Sequence, residues 1–370
     1  YYTKSMTIHS EKFGGIDGRC VSVVLDDHDV TFGSAEKVQE AFKEIIEEYR
    51  PQCVFLVTTC VIEIIGDDFD AISEGLSKLY GIPVLPVHTE HFKCEDHLPG
   101  LERTITVCAE MMKSCDCENS VNLLGQRMGD FATTELYAML QKAGVKIGLQ
   151  LPCGCSVDDI KNAAAAKVNI VVNDIALPLA QKMQEKFGIP YVYFNKFVIP
   201  EKIYEAYKNL FVYLDLELPG ELEGLYQNAR EKIEKNKGEL EGITYIYGNT
   251  PYAVFEMNCF LSSLGMVPQV IQTNRYTEAD EPYAKEILQY TDPYVCKAAN
   301  IAPLQYVYDV LSPYLYLGHE FGNRLRQKGI AIVDSDRASG MLGFEVTGYL
   351  LQQLVKSVRE AKEYRKELGL

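Results

Sequence analysis

Short, nearly continuous apolar runs alternate along the chain with longer stretches in which apolar residues recur every three or four positions. The runs fall at 53–58 (CVFLVT), 84–88 (VLPVH), 121–124 (VNLL), 168–172 (VNIVV), 243–247 and 330–333. Continuous apolarity, rather than strict alternation, predicts parallel strands covered on both faces. The periodic stretches predict helices over Ala35–Tyr49, 67–79, 131–143, 157–165 and Leu177–Phe187. Strand, loop and helix repeated in this order predict the α/β class, built of Rossmann-like, doubly wound parallel sheets.

Two joints interrupt the pattern. One is the polar stretch 114–120 (SCDCENS). The other is the charged segment 221–241, where Glu and Lys recur at spacings that allow i,i+4 pairs on a long exposed helix. They predict three α/β domains, 1–118, 119–240 and 241–370, the last closed by an amphipathic helix over 344–368. No repeat is visible beyond the α/β unit itself.

Composition narrows the function. The 370 residues are 47% hydrophobic and 24% charged, with a net charge of −16. Nucleic acid is excluded as the main partner, because phosphate binding relies on clustered Lys and Arg. No stretch approaches the roughly 18 apolar residues of a membrane span, and no secretory signal is visible, so a cytoplasmic location is expected. Eleven scattered cysteines do not form a secreted disulfide framework; in a reducing compartment they are buried, metal-binding or catalytic. Neither G-x-x-x-x-G-K-[ST] nor G-x-G-x-x-G follows a strand, so no ATP or dinucleotide site is expected on this chain.

Ligands of such sheets bind in the loops after the strands. Cys60 stands directly after the 53–58 run, in Thr59-Cys60-Val61-Ile62-Glu63-Ile64-Ile65-Gly66-Asp67-Asp68, where Asp67 or Asp68 can cap the next helix. It reads either as a small buried hydrophobe or as a thiolate presented to an iron–sulfur cluster. His88, His91, Cys94 and His97 recur every three residues after the next run. They read either as a mononuclear metal site or as backbone-bonding residues of a polar loop. Cys153 and Cys155 precede Ser156 and Asp159, which resemble a capping box; the two thiols can serve one cluster or merely suit a helix start. Cys115 and Cys117 are expected to face solvent, and Cys53, Cys108, Cys259 and Cys296 to lie in the core. Arg337 could meet an anion or form a structural ion pair.

These residues resemble a known family. Thr59-Cys60 followed by Glu63-x-Ile65-Gly66-Asp67-Asp68 is similar to the "TC…E-x-IGDD" signature of nitrogenase component 1. Asp29-Val30-Thr31-Phe32-Gly33-Ser34 resembles its "D-x-x-FGG", and His88-Thr89 with Phe92 its "HTP-x-F". Val121-Asn122-Leu123-Leu124-Gly125 resembles "VN-[LI]-[LI]-G", Ala164 to Asn169 with Phe187-Gly188-Ile189-Pro190 resembles "A-x-LN…GIP", and Gly343-Phe344-Glu345 resembles "G-[YF]-[DE]". The ordered series covers nearly the whole chain.

The resemblance implies three Rossmann-like domains and an iron–sulfur cluster, 4Fe-4S or larger, shared with a homologous subunit. Cys60 matches one ligand and Cys94 the loop residue that approaches the cluster in β-type subunits. A further ligand, in "HGP-x-GC", precedes residues like Tyr1-Tyr2. The implied role is an anaerobic oxidoreductase subunit that takes low-potential electrons from a homodimeric, ATP-dependent iron–sulfur reductase; the alternatives are a cofactor-assembly scaffold or a non-redox metal or tetrapyrrole carrier. The sequence departs from the family where the molybdenum–iron cofactor is held. It reads Val172-Asn173-Asp174 and Met341-Leu342 there, without the expected Cys and His, and so leans toward a β-type subunit or a relative lacking that cofactor. A role for Cys153 and Cys155 would be particular to this branch.

Overall fold

The computed structural model describes residues 20–94, 98–127, 129–195, 197–248, 250, 252–297 and 301–370. Their strands form three sheets, and every strand pairing is parallel. The chain divides into two compact units, one holding the residues up to Lys113 with Ser156–Lys161, the other Ser114–Cys155 with Asn162–Leu370.

The first unit is built on β1 (Val54–Val57) and β2 (Val84–Val87), with Val54 opposite Val84. Its helices are α1 (Asp27–Phe32), α2 (Ala35–Tyr49), α3 (Cys60–Ile65), α4 (Phe69–Tyr80) and α5 (Leu98–Thr106). Val38 and Phe42 of α2 pack with Ile62, Phe69, Leu76 and Val84 in one apolar cluster. Residues four apart on α2 thus face the sheet, as a 3.6-residue period requires. The helix ends at Arg50 in the left-handed region, whose N–H reaches back to the Ile46 carbonyl.

The second unit contains two sheets. One runs in the order β4 (Lys146–Pro152), β3 (Glu118–Gln126), β5 (Ala166–Val171), β6 (Tyr191–Tyr193). The other runs β11 (Ala331–Val333), β10 (Leu315–Leu317), β7 (Thr244–Tyr247), β8 (Val267–Thr273), β9 (Tyr294–Lys297). Between the strands come α6 (Glu135–Lys142), α7 (Val157–Lys161, part of the first unit), α8 (Leu177–Phe187), α9 (Pro200–Leu214), α10 (Leu222–Leu240), α11 (Val254–Ser263), α12 (Glu281–Tyr290), α13 (Ile301–Leu311) and α14 (Gly322–Arg326); α15 (Glu345–Leu368) closes the chain. The charged segment near residue 230 forms α10 and the C-terminal amphipathic stretch forms α15, and the two helices pack against each other. The helices expected over 131–143 and 157–165 break into shorter pieces. Thr134 accepts a hydrogen bond from Tyr137 N, so α6 starts only at Glu135. Asn122 takes the Ala163 carbonyl, and α7 stops at Lys161.

Core burial follows most of the apolar runs, but β1 alternates, with Phe55 and Val57 exposed. Cys108 and Cys259 are buried and Cys53 is half-buried, but Cys296 is exposed. It lies on β9, the edge of its sheet, where all four residues are exposed. An apolar strand is covered on both sides only when it has neighbours and layers on both sides.

Candidate functional site

The site is built at the carboxyl ends of β1 and β2, in the first unit. After β1 the chain reaches Thr58, which is 2% exposed. Its hydroxyl donates to Glu63 Oε1 and lies 3.2 Å from the Val87 carbonyl. Thr89, after β2, returns two bonds: its N–H donates to Thr58 Oγ1 (3.1 Å) and its hydroxyl to the Thr58 carbonyl (3.2 Å). The two strand ends are thereby tied side by side. Cys60 follows as the first residue of α3, half-buried and in no disulfide.

Three acidic residues of the same segment have separate structural tasks. Glu63 Oε1 also accepts the Glu90 N–H at 2.8 Å. Asp67 accepts the Ser34 N–H and hydroxyl, and Asp68 caps α4 through the Ala71 N–H at 2.9 Å. Gly66, at φ 86°, makes the left-handed turn that ends α3 after six residues. Of the two aspartates able to cap the next helix, Asp68 does so, which leaves Asp67 for the lead-in to α2.

Cys94 is also half-buried and in no disulfide, with its Sγ 3.9 Å from the Thr89 carbonyl. Its loop is held by Arg103 of α5, which donates to the His88 and Thr89 carbonyls (3.0 and 2.8 Å) and pairs with Glu90 at 2.7 Å. Lys93 pairs with Glu90 at 2.7 Å as well. The Lys93 hydrogen bond and charge, followed by the charge of Arg103, hold the Glu90 carboxyl below its usual range. A cavity of about 190 Å³ opens beside this network, lined by Thr58, Glu63, Asp67, His88, Glu90 and Lys93 among others.

His88 faces Asp70 at 3.2 Å. The His91 side chain and all of His97 lie outside the described residues, so of the four residues weighed as a metal site or as backbone-bonding loop residues only His88 and Cys94 are described. Cys153 and Cys155 belong to the second unit, in the loop after β4. Cys153 is exposed, with its Sγ 3.5 Å from the Arg127 carbonyl; Cys155 is half-buried. Ser156 and Asp159 form the expected reciprocal cap, with Asp159 Oδ2 accepting from both Ser156 N and Oγ at 2.7 Å and the Asp159 N–H donating to Ser156 Oγ at 3.1 Å. Cys115 and Cys117 are exposed, in agreement with the sequence. Arg337 is exposed, with its guanidinium 6.0 Å from the Tyr349 ring centre.

The donor set can be tested against an iron–sulfur cluster. Cys60 and Cys94 are soft thiol donors on neighbouring strand-end loops, as such a cluster needs. A four-iron cluster takes about four thiolates, and these two supply half. The residues therefore fit a cluster completed from elsewhere, and not one held by this pair alone. Arg103 and the Thr58–Glu63–Glu90 link were missed in the sequence. Glu63 stood in the signature without a task, and Arg103 lies too far along the chain to carry any local signal.

A family model for nitrogenase component 1 type oxidoreductases matches residues 1–359. The nitrogenase iron-molybdenum cofactor biosynthesis protein NifE of Rippkaea orientalis is 26% identical over 278 residues, which is 71% of this chain and 58% of that protein. NifE of Clostridium pasteurianum is 32% identical over 176 residues, 46% of this chain and 38% of that protein. The nitrogenase molybdenum-iron protein alpha chain of Methanosarcina barkeri is 25% identical over 260 residues, 67% of this chain and 48% of that protein. The chain thus spans about half the length of the curated relatives it matches. The sequence leaned toward a β-type subunit or a relative lacking the molybdenum–iron cofactor; the relatives named here are NifE proteins and a nitrogenase alpha chain. A solved structure, nitrogenase Cp1 at pH 6.5, matches with a TM-score of 0.73 over 93% of this chain and 82% of that one; at 14% identity this is a likeness of fold.

Proposed function

This chain belongs to the nitrogenase component 1 type oxidoreductases, and on that premise we propose that it is a cofactor-assembly scaffold that holds an iron–sulfur cluster through Cys60. The observation that carries the reading is the placement of Cys60: a half-buried thiol at the carboxyl end of β1, on a segment tied to the next strand end through Thr58, Glu63, Thr89 and Glu90. The NifE relatives support assembly over turnover. Cys94 is the second proposed ligand on this loop pair, and Cys153 and Cys155 are proposed as further thiol donors of the second unit.

When bound, the cluster supplies low-potential electrons or a precursor for transfer. The chain's own part is to present thiolates and to hold their loops. Two thiols fall short of a full ligand set, so the remainder is proposed to come from a homologous subunit. The surface near Cys60 suits such a subunit. Phe32, Val57, Val61 and Ile64 are 76%, 51%, 52% and 73% exposed, and exposed apolar groups of this size favour burial in an interface. A reducing, cytoplasmic setting is proposed, in which cysteines outside disulfides are the rule.

A second reading is a reductase subunit fed by a homodimeric ATP-dependent iron–sulfur reductase. The match to a nitrogenase alpha chain favours it. Anaerobic purification of the full-length protein with iron, sulfide and EPR analysis tests both. Stoichiometric iron and sulfide with a signal altered by Cys60→Ala is expected; absence of iron would sink both readings. Cluster transfer to a separate acceptor protein supports the scaffold, and sustained substrate reduction with a reductase and ATP supports the second reading instead.

A further inference from the structure

Glu63 lies one helical turn after Cys60 and on the same side of α3, since residues three apart on a helix are neighbours. Its Oε1 accepts from the Thr58 hydroxyl, just before Cys60, and from the Glu90 N–H, just before the turn that leads to Cys94. One carboxylate oxygen therefore joins the two thiol-bearing segments. Glu90 needs this hold. Its φ is 43°, in the left-handed region that side chains other than glycine rarely adopt. The N–H bond to Glu63 and the ion pairs with Arg103 and Lys93 keep it there. From Glu90 the short turn His91–Lys93 delivers Cys94, whose thiol points back to the Thr89 carbonyl. The other oxygen of Glu63, Oε2, is buried and accepts no hydrogen bond among the described residues. The carboxylate is thus kept at this place by what Oε1 does, not by pairing on both sides.

We propose that Glu63 is the positioning residue that sets Cys60 and Cys94 relative to one another. The inference rests on the reading of Cys60 as a cluster ligand, but its test does not. Glutamine keeps an acceptor at the Oε1 position and alanine keeps none, so Glu63→Gln and Glu63→Ala separate the bridge from the fold.

The experiment measures per-cysteine alkylation by iodoacetamide, followed by mass spectrometry, on the anaerobic metal-free full chain. EPR after reconstitution with iron and sulfide follows. Glu63→Ala is expected to speed alkylation at Cys60 and Cys94 by about fivefold or more, as for a local opening made about 1 kcal/mol easier. Cys108, 2% exposed in the same unit, is expected to keep its wild-type rate, Glu63→Gln to restore slow alkylation at Cys60 and Cys94, and the alanine variant to give a changed EPR line shape. Unchanged rates at Cys60 and Cys94 in the alanine variant would overturn the proposal. An equal rise at Cys108 would also overturn it, since that reports general loosening. If the wild-type chain takes up no iron, the cluster reading fails while the alkylation contrast still decides the role of Glu63.

Discussion

Asp67 holds Ser34 with a single carboxylate oxygen: Oδ2 accepts the Ser34 N–H at 2.7 Å and its hydroxyl at 2.6 Å across a separation of 33 residues. This pins the start of α2 to the turn after α3, the helix that Cys60 begins. Asp67→Ala is expected to cost about 2 kcal/mol, the usual loss for hydrogen bonds to a charged group, and to lower the thermal midpoint of the first unit. Gly33→Ala is expected to act in the same direction, because its φ is +101° and an added Cβ would sit 3.0 Å from Asp67 Oδ1. Asp68→Ala removes only the α4 cap and is expected to cost about 1 kcal/mol. Equal melting shifts for Asp67→Ala and Asp68→Ala would contradict this ordering.

Asn122, fully buried on β3, fastens three neighbours. Its Nδ2 donates to the Ala163 carbonyl and to Asn169 Oδ1, both at 2.8 Å, and its Oδ1 accepts the Leu149 N–H at 3.1 Å. Asn122→Ala leaves these groups buried and unpaired. A loss of about 3 kcal/mol is expected from such uncompensated burial, read as a lower denaturant midpoint. A change below roughly 1 kcal/mol would show that water replaces the side chain.

Glu256 lies 4% exposed in the first turn of α11. Burial, opposed by the Lys202 charge and the Val198 backbone hydrogen bond, raises its carboxyl to about 7. The folded value is above the unfolded one, so the folded state binds the extra proton between about pH 4.5 and 7. Stability from this residue is therefore greatest below that window, falls as pH rises through it, and stays low above it. Glu256→Gln is expected to flatten the stability profile in this range and to be the more stable form at pH 8, by on the order of 3 kcal/mol. Parallel profiles for the two proteins from pH 5 to pH 8 would count against the assignment.

The cysteines are expected to separate into reactivity classes. Burial pushes the Cys259 thiol up to about 12 and Cys53 up to about 11, so both stay protonated and slow at pH 8. The exposed Cys115, Cys117, Cys153 and Cys296 are expected to label first. In the anaerobically loaded protein, Cys153→Ala with Cys155→Ala is expected to lower iron per chain while leaving the Cys60-dependent EPR signal in place. Unchanged iron would remove these two from the ligand set.

Much of the architecture was legible locally. The helices at Ala35–Tyr49 and Leu177–Phe187 match the periodic stretches residue for residue, because the repeat of apolar positions is itself the face that meets the sheet. The buried parallel strands β3, β5 and β7 were legible because cover on both faces leaves an unbroken apolar run, whereas β1 is apolar but alternately exposed. The place of Cys60 was equally local, since a loop must follow a strand. In the IGDD segment Asp67 or Asp68 was read as the cap of the next helix, and Asp68 caps it.

What the sequence by itself determined is the α/β class, six of the eleven described strands, several of the helices and the position of Cys60 at a strand end. Tertiary structure alone decided the strand orders, the exposure of Cys296 at an edge, the grip of Asp67 on Ser34 and the joining of Cys60 to the Cys94 loop through Glu63. The reason is physical. Periodicity records which face of an element is covered, but not which element covers it, and a carboxylate's partner is chosen by distance in space between segments that lie 27 or 33 residues apart in the chain.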